Sequence, residues 1–151
     1  MKIPLSWLRE FVDINVPVSD LSHRLTMSGL EVAGVEKVGG WDDCCVGYVE
    51  TMERHPNADR LTVCVVNIGD GVETVVCGAP NVSSGQKVAF AKVGARLLDV
   101  RTGKKIELKA ARIRGIESRG MICSEQELGL GEDHAGILLL PEDAPLGVPL
   151  T

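Results

Sequence analysis

Apolar positions change their spacing along this chain of 151 residues. Near the start Leu5, Leu8 and Val12 recur at intervals of three and four, with Trp7 and Phe11 beside them. That period predicts a short amphipathic helix. A second helical stretch follows. Ser19 is expected as its N-cap, Leu21 and Leu25 share one face, and Gly29 stands just past its end as a C′ residue. The run "LEVAGVEKV" (residues 30–38) then reads as a strand. This opening section carries more apolar surface than so small a unit can hide by itself, so it is expected to pack on something else.

After the Gly-rich joint "GGWDD" the period shortens to two. "CCVGYVETME" precedes the turn "RHPNAD", "RLTVCVVNI" runs into "GDG", and "VETVVC" into "GAPNVSSG". "QKVAFAKV" is followed by the loop "GARLLDVRTG", and "KKIELKAARIRG" is the fifth run. Short strands between Gly, Pro and Asn turns predict a mainly β chain with a five-stranded, closed or partly closed barrel. No long helical pattern separates the strands, which argues against a doubly wound α/β sheet. From Met121 on, the chain holds one short capped element, an apolar run at residues 137–140, and a tail kept extended by Pro141, Pro145 and Pro149. It stops at "VPLT" with no cap or polar fade-out, the look of a cut end.

Composition sharpens this in two ways. Apolar residues are 44% of the chain but aromatics only 3%, so the core must be mostly Val, Leu, Ile and Ala. The five cysteines are odd in number and include no C-x-x-C pair, which disfavours a disulfide framework or a zinc ribbon and fits buried thiols in a reducing cytosol. No signal peptide or membrane-length apolar run is present, so a cytoplasmic protein without a membrane partner is expected.

The net charge of −5 is strongly segregated. Residues 87–119 hold ten basic and three acidic groups, net +7, whereas residues 39–86 are net −5 and residues 120–151 net −6. A basic block inside an acidic chain is a candidate nucleic-acid footprint; solvated strand faces are the alternative, and charge alone weighs the two evenly.

Cys123-Ser124 looks reactive, yet His23, His55 and His134 lie in three different sections and none stands in a catalytic context. Ser124 and Glu127 instead have the S-x-x-E spacing of a capping box, with Cys123 and Leu128 at the positions of a hydrophobic staple. No catalytic residue and no metal site is expected. "HPNADRL" (residues 55–61) reads as a turn, and "CGAPN" has neither phosphate-loop signature. Within the basic block, Lys105, Glu107, Lys109, Ala111 and Ile113 share one face by period two, and Lys104, Ile106, Leu108, Ala110, Arg112 and Arg114 share the other. Only Tyr48 and Phe90 lie on strands as stacking platforms, so contact with RNA would run through backbone and shape rather than splayed bases.

Four stretches in order, "HPNADRL", "VVCGAPNV", "GQKVAFAKVGA" and "IRGIESRGMICSEQELGL", resemble the OB-fold tRNA-binding module found in stand-alone tRNA-binding proteins and at the end of some methionyl-tRNA synthetases. "MKIPLSWLREFVDI" with "VSDLSHRLTMSGLEV" resembles the start of the β subunit of bacterial phenylalanine–tRNA ligase, where the module is inserted in a small first domain. The resemblance implies that residues 1–40 are the first half of a split α+β domain and that residues 41–151 are the inserted OB-fold barrel. It implies an (αβ)₂ enzyme that attaches phenylalanine to its tRNA with ATP and Mg²⁺, with the catalytic site on the α subunit and no cofactor in this part. The residues expected to meet tRNA are Lys87, Lys92, Arg96, Lys104, Lys105, Lys109, Arg112, Arg114 and Arg119. Arg60 stands where the module commonly has lysine, and Cys44-Cys45 is outside the pattern. Two other roles compete: a bracing module that touches tRNA little, and a free-standing tRNA chaperone, which would not need residues 1–38.

Overall fold

The computed structural model describes residues 1–37, Trp41 and residues 43–150, and the chain divides into two units, 1–37 and 38–151. The joint at Gly39-Gly40 lies outside the described residues.

The first unit holds helices α1 (Leu5–Phe11) and α2 (Val18–Met27). Each begins directly after a proline, Pro4 and Pro17, whose fixed φ and missing N–H are harmless at a helix start. This overturns the expected cap at Ser19. Pro17 starts the helix two residues early, and Ser19 sits inside it, its carbonyl accepting from the Ser22 hydroxyl (2.9 Å). At the other end the Gly29 N–H donates to Thr26 O (3.1 Å) and the Leu30 N–H to Leu25 O (2.9 Å), the two back-bonds of a Schellman motif. Residues 30–37 are not a strand, and Val38 lies outside the described residues. Alternation alone makes no strand; it needs a partner edge, and the first unit has none.

The second unit is built of β1 (Cys44–Arg54), β2 (Thr62–Asn67), β3 (Val72–Cys77), β4 (Lys87–Ala91), β5 (Arg96–Leu98), β6 (Lys105–Glu107), β7 (Ala111–Ile113), β8 (Ile116–Ser118), β9 (Met121–Ile122) and β10 (Leu139–Leu140). Its main sheet runs β10–β4–β1–β2–β3, antiparallel throughout, with β9 also on β4. β1 is long enough to serve two neighbours. Its first half pairs with β4 from Cys44↔Ala91 to Tyr48↔Lys87, and its second half with β2 from Tyr48↔Asn67 to Arg54↔Thr62. A register shift between Val49 and Thr51 bends it where the second ladder starts.

The run from β8 to β9 closes the barrel. The Arg119 N–H donates to Thr74 O (3.0 Å) and the Val76 N–H to the Ser118 hydroxyl (3.1 Å) on the β3 side, while β9 pairs with β4 on the other. With β1 to β4 it completes a nearly closed five-stranded barrel. Residues 146–150 cover what is left of β1: Gly147 N–H to Val46 O (2.8 Å), Val46 N–H to Val148 O (3.0 Å) and Leu150 N–H to Cys44 O (3.0 Å). This tail meets the β2–β3 turn at two glycines. A Cβ on Gly147 would lie 2.8 Å from Ile68 O, and one on Gly69 2.9 Å from the Gly147 Cα.

β4 is buried on both faces. Val88 and Phe90 point into the barrel with Val49, Cys64, Val66, Val75 and Ile122. Ala89 and Ala91 face a second layer with Cys44, Ala95, Leu97, Cys123 and Leu128, against which Trp41 and Leu108 pack. All five cysteines are buried, split between these layers. The expected single fifth strand is two: β6 pairs with β5 and β7 with β8. Leu108 is the reason. It turns inward onto the second layer, exchanging hydrogen bonds with the Gly94–Ala95 backbone, so the two-residue alternation across residues 104–114 does not persist.

Candidate nucleic-acid interface

The basic block folds into two tandem hairpins, β5–β6 and β7–β8, joined by residues 108–110. Register sets Arg96 opposite Glu107, Lys105 opposite Leu98 and Arg112 opposite Glu117. Lys104 follows the β5–β6 turn, Lys109 lies between the hairpins, and Arg114 occupies the β7–β8 turn. Arg96, Lys104, Lys105, Lys109, Arg112 and Arg114 are all exposed. In the β5–β6 turn the Arg101 N–H donates to Asp99 Oδ1 (2.8 Å), and this bond leads in holding that carboxyl below its usual range.

The other three sequence-predicted residues stand apart from the hairpins. Lys87, on β4, lies 5.6 Å from the centre of the Tyr48 ring. Lys92 is drawn to Asp70 in the β2–β3 turn (3.5 Å), and Arg119 to Glu73 on β3 (3.9 Å). Part of the acidic second section therefore neutralises part of the basic block. Phe90 is 0% exposed and offers no stacking face, which leaves Tyr48 as the aromatic on a strand that RNA could reach.

Ser124 and Glu127 build the turn beneath β9. The Ser124 N–H donates to Glu127 Oε2 (2.6 Å), its hydroxyl donates to the same oxygen (2.9 Å), and the Glu127 N–H points back at the hydroxyl (3.5 Å). Leu130 N–H to Glu125 O (2.9 Å) closes the far end. Cys123 and Leu128 lie together in the second layer, and burial pushes the Cys123 thiol well up, away from nucleophilic thiolate. Among the described residues no group of three or more His, Cys, Asp or Glu is arranged to hold a metal, and no helix is long and apolar enough to cross a membrane.

Sequence reasoning missed the "HPNADRL" loop as part of this surface. It reads locally as a turn, yet His55 is buried and its Nε2 meets the Ile113 carbonyl (3.0 Å), tying the loop to β7. The signal lay in a histidine placed just after a long strand, next to the fixed geometry of Pro56; its partner is 58 residues away.

The sequence profile of the family described as "Putative tRNA binding domain" matches residues 44–149. A phenylalanine–tRNA ligase β subunit of Dehalococcoides mccartyi (strain ATCC BAA-2266 / KCTC 15142 / 195) is 50% identical over 149 residues, covering 98% of this chain and 18% of that protein. One of Ralstonia nicotianae is 49% identical over 152 residues, covering 99% and 19%. The chain thus spans under a fifth of the length of these curated relatives. A solved MetRS-related protein from Pyrococcus horikoshii shares the fold at a TM-score of 0.51 and 23% identity, over 72% of this chain and 88% of that one.

Proposed function

The chain belongs to the tRNA-binding domain family, and from that membership we propose that it is the tRNA-contacting N-terminal part of a phenylalanine–tRNA ligase β subunit. The observation that carries the reading is the pair of tandem hairpins, whose exposed arginines and lysines stand on an otherwise acidic chain. Phosphates are the natural partners of such a surface, and with few aromatics at hand the contact runs through the RNA backbone. Lys87, Lys92, Arg96, Lys104, Lys105, Lys109, Arg112, Arg114 and Arg119 supply the positive charge; Ser124 and Glu127 hold the turn beneath β9.

In this reading residues 1–40 are the first half of a split α+β domain and residues 41–151 the barrel inserted in it. The complete enzyme is an (αβ)₂ assembly in the cytoplasm that attaches phenylalanine to tRNA. ATP and Mg²⁺ serve that reaction at a catalytic site on the α subunit.

The test is tRNA binding by the full chain across a salt series. Neutralising about four phosphates gives a log–log slope of roughly −3 to −4, and glutamine at Lys104, Lys105, Lys109 and Arg112 flattens it. A slope that ignores those four changes sinks the assignment. A bracing role is favoured by the Lys92–Asp70 and Arg119–Glu73 pairs, which spend basic charge internally. Failure to retain any tRNA at low salt would decide for it.

A further inference from the structure

The β1–β2 loop is docked on the β7–β8 hairpin by three hydrogen bonds, and a fourth inside the loop orients His55. His55 is 3% exposed. Its Nδ1 accepts from the Asn57 N–H (3.0 Å), so Nε2 carries the proton and donates to Ile113 O (3.0 Å). The Asn57 side-chain amide donates to Arg114 O (3.2 Å), and Arg114 Nη1 donates back to Asn57 O (3.2 Å). Arg114 is left-handed, at φ +48°, a conformation costly enough for a residue with a side chain that its neighbours must hold it. The loop does so. Beside the dock lies a cleft of about 430 Å³ lined by Ala58, Asp59, Arg60, Leu61 and Arg114.

We propose that this cleft is a phosphate subsite for an RNA backbone, gripped by Arg60 and Arg114, with His55 and Asn57 as positioning residues. The proposal rests on the tRNA-binding reading and adds to it a site, a new contact residue in Arg60, and a loop. Two arginines line one cleft from elements more than fifty residues apart, and the planar fork of a guanidinium suits phosphate oxygens. Among the described residues neither makes an ion pair with a carboxylate, unlike Lys92 and Arg119. Asp59 is the one acidic group in the lining, and it leaves the cleft with a net positive charge. No aromatic side chain lines it to hold a base or nucleoside, which selects the backbone phosphate of a polymer as the occupant.

The experiment measures tRNA affinity of the full chain against salt for Arg60→Gln, Arg114→Gln, Asn57→Ala and the Asn57→Ala/Arg114→Gln double variant. Thermal melts run alongside, and Lys105→Gln serves as a comparison outside the cleft. Each arginine change is expected to weaken binding roughly three- to tenfold near about 100 mM salt and to lower the slope by nearly one. Asn57→Ala should weaken binding in the otherwise unchanged chain and add nothing once Arg114 is glutamine. A merely structural role would instead give independent, additive losses. If both arginine variants keep the original affinity and slope while Lys105→Gln loses them, the cleft is not a subsite and the family reading stands. If the unchanged chain binds no tRNA at low salt, both fall. Displacement of tRNA by millimolar inorganic phosphate, at constant ionic strength, would make the cleft a free-anion site and overturn the backbone assignment.

Discussion

Between β8 and β9, Gly120 lies at φ +140°, and a Cβ there would overlap the Phe90 ring and stand 2.8 Å from Ala91 O. Both neighbours are fixed, one filling the barrel and the other paired in β4. Gly120→Ala is therefore expected to cost about 3 kcal/mol or more, because overpacking and a forbidden dihedral act together. The check is a fall in urea midpoint at unchanged m. Ser124→Ala is gentler: it removes a cap and should cost about 1 kcal/mol, with tRNA affinity unchanged at temperatures where the chain stays folded. The Ser124–Glu127 spacing was legible because both partners sit three residues apart, so sequence contains the whole interaction. Gly29 was legible for the same reason. Ser19 misled because serine is a good cap in isolation, while Pro17, two residues earlier, takes the helix start first.

Strands were legible wherever an alternating run met a turn signal, which covers β1 to β4 and the barrel they build. The fifth run failed because its break depends on Leu108 finding the second layer, a partner no local pattern reveals. The same limit hid the docked loop, whose contacts span 57 and 58 residues. The hairpins that replaced the fifth strand make their own prediction. Glu117 faces Arg112 across the ladder and opposes phosphate binding there. Glu117→Gln should raise tRNA affinity by about twofold at low salt, the scale of an exposed charge pair. By contrast Lys92→Gln, in a residue already committed to Asp70, should change affinity less than Lys105→Gln does. A filter-binding series at one salt concentration orders all three.

At the scale of the whole chain, burial and ionisation are coupled. Burial raises the thiols of Cys45, Cys64 and Cys77 above 9.0 and that of Cys123 well above it. Unfolding releases them to ionise at the ordinary value, so below that pH the two states hold equal protons and stability is unaffected. Above it the unfolded chain loses protons first, and stability falls as pH rises from about 9 upward. Urea midpoints at neutral and alkaline pH should show that loss, and Cys123→Ala should lessen the pH dependence even though it lowers stability outright. The two units should also differ in amide exchange. α1 and α2 are 7 and 10 residues long and bury no side chain, so their amides exchange fast, while those of β1 and β4 exchange orders of magnitude more slowly. One feature governs when that protection can arise. The edge of β1 at residues 44–47 is covered by residues 146–150, about a hundred positions later. During synthesis the first strand of the barrel emerges before the rest of the barrel and is the last to be sealed. Until the tail docks against Gly69, that edge is open to pairing with any neighbouring nascent chain, so slow closure and early strand-to-strand association are the hazards this topology carries.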